Sequence, residues 1–119
     1  MTVLIVDDDR DIREMLAQTL EDEGYQVLSA ADGREALELL RSEPLPCLIL
    51  LDLMMPVMNG WEFREAQLRQ PELVDIPVVI LSARTDVAQA AAEMQGVSYI
   101  AKPIDFDLLI NTVAQHCNG

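Results

Sequence analysis

Three runs of four apolar residues, Val3-Leu4-Ile5-Val6, Leu48-Ile49-Leu50-Leu51 and Val78-Val79-Ile80-Leu81, contain no polar side chain. A strand with one wet face alternates apolar and polar residues, so unbroken runs fit strands covered on both faces. That arrangement belongs to parallel sheets flanked by helices. Weaker strand patterns at 26–30 and 97–101 bring the expected count to five.

Amphipathic stretches lie between the runs. Residues 11–23 place Ile12, Met15, Leu16 and Leu20 on one face, and residues 33–42 carry Ala36, Leu37 and Leu40. A short stretch at 60–69 is stopped by Pro71. Residues 86–95 carry Val87, Ala90, Ala91 and Met94, and 104–116 carry Phe106, Leu109, Ile110 and Val113. Asp11 with Glu14, Asp32 with Glu35 and Asn59 with Glu62 have capping-box spacing, although Asp11 also suits a position just inside its helix. Right-handed crossovers between five such strand–helix units give an open, doubly wound α/β sandwich. Pro44, Pro46, Pro71 and Pro77 mark loops and no linker interrupts the chain, so residues 1–119 are expected to form one domain. Half of its residues are apolar, enough for a core that needs no metal or disulfide.

Charge excludes some functions. Eight basic against 21 acidic residues give a net charge of −13, which opposes unaided binding to nucleic acid or to an anionic membrane. No apolar run approaches the roughly 18 residues of a membrane span, so no membrane insertion is expected. The start at Met1, without a basic leader, reads as an authentic N-terminus. Cys47 and Cys117 are too few for a disulfide framework and too far apart in sequence to chelate a metal. Cys47 reads as a small buried hydrophobe, and a reducing, cytoplasmic compartment is expected.

Ligands of parallel sheets gather at the carboxyl ends of the strands. Here those ends carry Asp7, Asp8 and Asp9, then Asp52, Ser82 and Lys102. Aspartates after a strand can simply cap the next helix, but Asp52 lies between Leu-Ile-Leu-Leu and Leu-Met-Met, where an isolated carboxylate is expensive. Clustered carboxylates repel one another, and a divalent cation relieves the repulsion; hard oxygen ligands favour Mg²⁺ or Mn²⁺. With such an ion, Asp52 is the candidate nucleophile towards a phosphoryl group. Lys102 is the only lysine, placed to pair with Asp52 and then with an acquired phosphoryl oxygen. Its bond to Pro103 is open to either isomer, the cis form aiming the side chain inward. The Ser82 hydroxyl suits a donor that moves towards a modified Asp52, or else a helix cap.

With these residues placed, the chain resembles a response regulator receiver domain, the phosphoacceptor module of two-component signalling. The resemblance rests on VLIVDDD at 3–9, LLDLMMPVMNGWE at 50–62, VVILSA at 78–83 and YIAKPI at 99–104, and spans essentially the whole chain. It implies a flavodoxin-like (βα)5 three-layer sandwich with sheet order 2-1-3-4-5. It also implies that Asp7 and Asp8 hold Mg²⁺ with Asp52 and the Met54 backbone carbonyl, that Asp52 is the phosphorylated residue, and that Lys102 and Ser82 contact the phosphoryl group. Ser82 and Tyr99 match the switch pair, Met54 and Arg84 the positions that tune hydrolysis, and Pro56 and Gly60 the loop after the phosphoacceptor. Asp9 has no ligand role in that match.

The family's partners are a histidine kinase or histidine phosphotransfer domain, and a downstream protein or an output domain outside this chain. Output through a phosphorylation-dependent dimer also fits. The signal would leave by the surface of the fourth helix, fifth strand and fifth helix, where Arg84, Asp86 and Glu93 offer polar contacts. Such a domain is no dedicated small-molecule enzyme, but it catalyses its own phosphotransfer and dephosphorylation. Two departures from the family pattern are present: Gly96 to Tyr99 is one residue shorter than usual, and Ile104 follows Lys102-Pro103 where Phe is commoner.

Rival readings are weaker. An aspartate-based phosphohydrolase wants a second acid two residues after its nucleophile, and position 54 is Met. A flavodoxin-like cofactor binder wants Gly, Ser and Thr in the first loop, which here is Asp-rich. A phosphorylation-independent pseudo-receiver acting as an interaction module is the main alternative. Trp61 reads as packing for the short third helix, Met54, Met55 and Met58 as loop and core filler, and His116 as uninvolved.

Overall fold

The computed structural model describes residues 1–42, 44–83, 87–94 and 97–117. Among the described residues five strands and five helices alternate: β1 Thr2–Val6, α1 Arg10–Asp22, β2 Gln26–Ala30, α2 Gly33–Ser42, β3 Leu48–Asp52, α3 Gly60–Leu68, β4 Val78–Ser82, α4 Val87–Glu93, β5 Ser98–Ala101 and α5 Phe106–Cys117. All neighbouring strands run parallel, in the order β2-β1-β3-β4-β5. This is the doubly wound (βα)5 sandwich expected from the apolar runs and from the resemblance.

The runs are buried because successive side chains leave opposite faces of the sheet. Val3, Ile5, Leu48, Leu50, Val79, Leu81 and Ile100 face one core with Leu16 and Leu20 of α1 and Leu109 and Val113 of α5. Leu4, Val6, Ile49 and Leu51 face the other, with Ala36, Leu37 and Leu40 of α2 and Phe63 of α3. Trp61 packs with Leu53, Ile80, Ala90, Ala91 and Met94 between α3 and α4, the packing role expected of it.

Helix starts follow local chemistry. Asp9 caps α1, accepting from the Asp11 and Ile12 amides, so Asp11 lies within the first turn, the second of the two positions open to it in sequence. Asp32 accepts from the Glu35 amide, and Asn59 with Glu62 forms a complete capping box. Met15 departs from the expected apolar face: it is exposed, at the margin of the α1 stripe. Met54 is also exposed rather than filler, whereas Met58 packs beneath α2, where a Cβ on Gly33 would come within 2.8 Å of its side chain.

One expectation is corrected outright. Cys47 and Cys117 are bonded to each other, with Cα atoms 5.4 Å apart. Cys47 is therefore half of a cystine, not an unpaired hydrophobe, and cysteine usage no longer argues for a reducing compartment. The pair is 70 residues apart in sequence, and only the packing of α5 under the sheet brings it together. Among the described residues, no helix is long and apolar enough to cross a membrane.

Candidate functional site

Asp7, Asp52 and Lys102 converge because each continues the alternation of its strand. Asp7 follows Val3 and Ile5, Asp52 follows Leu48 and Leu50, and Lys102 follows Ile100, all on the side of the sheet covered by α1 and α5. The register lays the strand ends side by side: Val6 pairs with Leu51, Asp52 with Leu81 and Ser82 with Ala101.

Asp7 is 1% exposed and tightly held. Its Oδ1 accepts from the Asp9 amide at 2.9 Å and its Oδ2 from Lys102 Nζ at 2.9 Å. Its backbone carbonyl accepts from Arg13 Nη1 at 2.7 Å, and its amide donates to the Ala30 carbonyl. Asp8 is exposed beside it, and carboxylate oxygens of Asp7, Asp8 and Asp52 lie within 4.8 Å of one another. Asp9, turned to cap α1, is outside this group.

The Asp52 carboxyl is raised to about 6, first by burial and then by the Asp7 charge, with a smaller push from Asp8. Lys102, at 3.8 Å, and a backbone hydrogen bond from Met54 oppose the rise without cancelling it. The cluster is thus short of positive charge, and its donor set is hard oxygen alone. Both properties fit a small divalent cation.

The loop after Asp52 is shaped by Gly60. A Cβ there would stand 2.7 Å from the Asp52 carbonyl oxygen and 2.8 Å from Leu53 Cα, and the Gly60 amide donates to the Leu53 carbonyl at 3.0 Å. Between them, the Met58 amide donates to the Pro56 carbonyl across a tight turn centred on Val57, at φ 66°. A positive φ at a β-branched residue is strained. The sequence offered Pro56 and Gly60 as loop markers but nothing at Val57.

Ser82 ends β4, 1% exposed, and its carbonyl accepts the Lys102 amide at 2.9 Å. The Lys102–Pro103 bond is cis. Tyr99 lies on the edge strand β5 opposite Ile80, 47% exposed, away from the carboxylates. Glu93 is exposed at the end of α4, and His116 is exposed near the end of α5. Arg84 and Asp86, as well as Gly96 with its short spacing to Tyr99, fall outside the described residues.

Two contributors were not legible in the sequence. Arg13 pins the Asp7 backbone from α1, and Gln67, fully buried, donates from Nε2 to the Leu73 and Ile76 carbonyls at 2.9 and 3.0 Å while accepting from Arg64. A mid-helix Gln or Arg carries no local signal of such a role.

Residues 3–114 match the family model of the response regulator receiver domain. An uncharacterised 14.6 kDa protein of Leptolyngbya boryana is 40% identical over 98% of this chain and 90% of its own length. The response regulator MprA of Mycolicibacterium vanbaalenii is 40% identical over 91% of this chain, which spans only 46% of that longer protein. Among solved structures, the chemotaxis response regulator CheY4 of Vibrio cholerae superimposes with a TM-score of 0.86 at 35% identity, covering 97% of both chains.

Proposed function

Because the chain belongs to the response regulator receiver domain family, we propose that Asp52 is its phosphoacceptor and that residues 1–119 act as one receiver domain of a two-component system or phosphorelay. The single observation that carries this reading is the cluster of Asp7, Asp8 and Asp52, with Lys102 reaching two of its three carboxylates.

A carboxylate oxygen of Asp52 attacks the phosphorus of a phosphohistidine in line, the P–N bond breaks, and the histidine leaves. Water later cleaves the acyl phosphate, returning the carboxylate and inorganic phosphate. Asp7, Asp8, Asp52 and the Met54 backbone carbonyl would hold Mg²⁺, with Mn²⁺ an adequate substitute. When bound, the cation supplies positive charge against the carboxylates and the transferring oxygens. Lys102, paired with Asp7 and Asp52, adds a positive charge of the chain's own, and the Ser82 hydroxyl donates to a phosphoryl oxygen. Met54 and Arg84 tune the hydrolysis rate.

Partners follow from the family to which the chain belongs. Beside Lys102 lies an apolar groove of about 270 Å³ lined by Ile12, Met15, Pro103, Ile104 and Phe106. It suits the docking of a histidine kinase or histidine phosphotransfer domain next to Asp52. Output leaves through α4, β5 and α5 as Ser82 and Tyr99 reposition, towards a downstream protein, an output domain or a second copy.

Intact mass after incubation with acetyl phosphate tests the reading. A Mg²⁺-dependent, labile gain of about 80 Da, one phosphoryl group, that D52N lacks is the expected result. No gain in a folded chain that binds Mg²⁺ would overturn it in favour of an interaction-only module.

A further inference from the structure

We propose that Cys47 and Cys117 form a reversible dithiol–disulfide site that sets how firmly α5 is fastened to the sheet, at the end of the molecule opposite the carboxylates. Nothing in the phosphoryl chemistry uses this pair.

Cys117 closes the buried stripe of α5, after Leu109 and Val113, and all three are fully enclosed in the core shared with α1. Cys47 immediately precedes β3 and is half-buried. The strand from 48 to 52 separates it from Asp52, roughly 17 Å along a β-strand. The bond therefore closes a ring that contains β3, α3, β4, α4, β5 and α5, and with them Asp52, Ser82 and Lys102, without touching any of those side chains.

Both redox states suit this place. In the disulfide the two Cα atoms are 5.4 Å apart, within the ordinary bridging range. In the disulfide-bonded structure the Cys47 sulfur already lies 3.2 Å from the Thr2 carbonyl oxygen, which places an acceptor beside the S–H that reduction would create, and Cys117 is a small side chain in an apolar core. Reduction thus leaves an acceptor next to the Cys47 thiol and keeps Cys117 as a core residue. Access is asymmetric: Cys117 is 0% exposed, so exchange begins at Cys47.

The reaction balances with a low-molecular-weight disulfide as oxidant. The Cys47 thiolate attacks one of its sulfurs and expels a thiol; the Cys117 thiolate then attacks the Cys47 sulfur of the mixed disulfide and expels the second. Two electrons pass from the protein pair to the small disulfide, which becomes two thiols. An excess of small thiol reverses both steps. In the oxidised form the last turn of α5 is tied covalently, and the face that α5 shares with α4 and β5 loses freedom to move.

The test uses the full chain equilibrated in buffers of varying reduced-to-oxidised glutathione ratio, then quenched with an alkylating agent. The expected result is two populations, with both thiols alkylated or neither, interconverting as the ratio is changed. The oxidised form melts higher by roughly 10 °C, as expected for closing a ring this long. The reduced form keeps its circular dichroism, and the acetyl phosphate mass gain is the same in both. C47S and C117A, measured separately, should each fold and each lose the glutathione-dependent melting shift. Thiols that remain alkylatable in excess oxidised glutathione, or equal melting temperatures for the two forms, would overturn the proposal. So would a reduced chain that unfolds, since the cystine would then be a requirement of the fold. A missing phosphoryl gain in both forms would bear on Asp52 alone and leave the cysteine result readable.

Discussion

The Lys102 ammonium stands 2.9 Å from Asp7 Oδ2 and 3.8 Å from Asp52 Oδ2, so the only lysine of the chain is hydrogen-bonded to Asp7 and holds Asp52 in a longer ion pair. Sequence reasoning paired it with Asp52; the structure keeps that ion pair and adds a shorter one to Asp7. The difference matters chemically: a cation committed to Asp7 leaves Asp52 under-compensated, and burial with Asp7's charge holds the Asp52 carboxyl at about 6.

This raised value has a definite consequence for stability. Asp52 ordinarily titrates near 3.8, so between that value and about 6 the folded chain keeps a proton that the unfolded chain has released. Stability is therefore fully supported at low pH with respect to this group, and that support is lost as pH rises through about 6. In metal-free buffer D52N should be more stable than wild type at pH 8 by about 1–2 kcal/mol, allowing for solvent screening, and no more stable near pH 4. Urea denaturation at the two pH values checks it, and added Mg²⁺ should narrow the gap by stabilising the wild type.

Removing the Lys102 charge leaves the three carboxylates with less compensation. K102M should bind Mg²⁺ several-fold more tightly at low salt, with the difference shrinking as ionic strength rises. Its phosphoryl uptake should nevertheless slow, because the second cation facing the transferring oxygens is gone. Calorimetric titration with Mg²⁺ and time-resolved intact mass separate the two effects.

Gly60 is a steric requirement. In G60A the new methyl meets the Asp52 carbonyl oxygen and Leu53 Cα, both backbone atoms that cannot swing aside. We expect a loss of about 2 kcal/mol or more and a slower phosphoryl gain at Asp52. G33A meets mainly the flexible Met58 side chain and should cost less. Equal losses in the two variants would contradict this account.

Gln67 organises the segment between α3 and β4. Q67A leaves the Leu73 and Ile76 carbonyls without their side-chain donor and should cost about 2–3 kcal/mol. Hydrogen exchange should accelerate in residues 69–77 before it does so in β1 or β3.

Val57 carries strain with little packing to justify it, being 73% exposed at φ 66°. V57G should stabilise the chain by about 1 kcal/mol, since glycine adopts this backbone without a Cβ penalty. An unchanged melting curve would show that the turn relaxes at no cost.

The chemistry-bearing strand ends were legible because both of their signals are local. An unbroken apolar run marks a strand buried on two faces, and a carboxylate or lysine directly after it marks the rim where such sheets bind ligands. Asp7 and Asp52 carry both signals in full, while Ser82 and Lys102 are marked by their place at the end of a strand pattern. The capping box of Asn59 and Glu62 was equally plain, since its partners are three residues apart.

What the sequence could not decide depends on which distant ends the parallel register lays side by side. That register sets Lys102 closer to Asp7 than to Asp52, and the packing of α5 brings Cys117 to Cys47 across a separation of 70 residues. Arg13 against the Asp7 carbonyl and Gln67 beneath the loop before β4 belong to the same class. Periodicity along a chain specifies which face of an element is buried, and that determined the doubly wound class, while the motifs shared with the receiver family supplied the strand order and the roles of the site residues. Periodicity carries no information about distances between elements, so the closer approach of Lys102 to Asp7, the raised Asp52 carboxyl and the cystine arose only when the sheet and its helices were assembled.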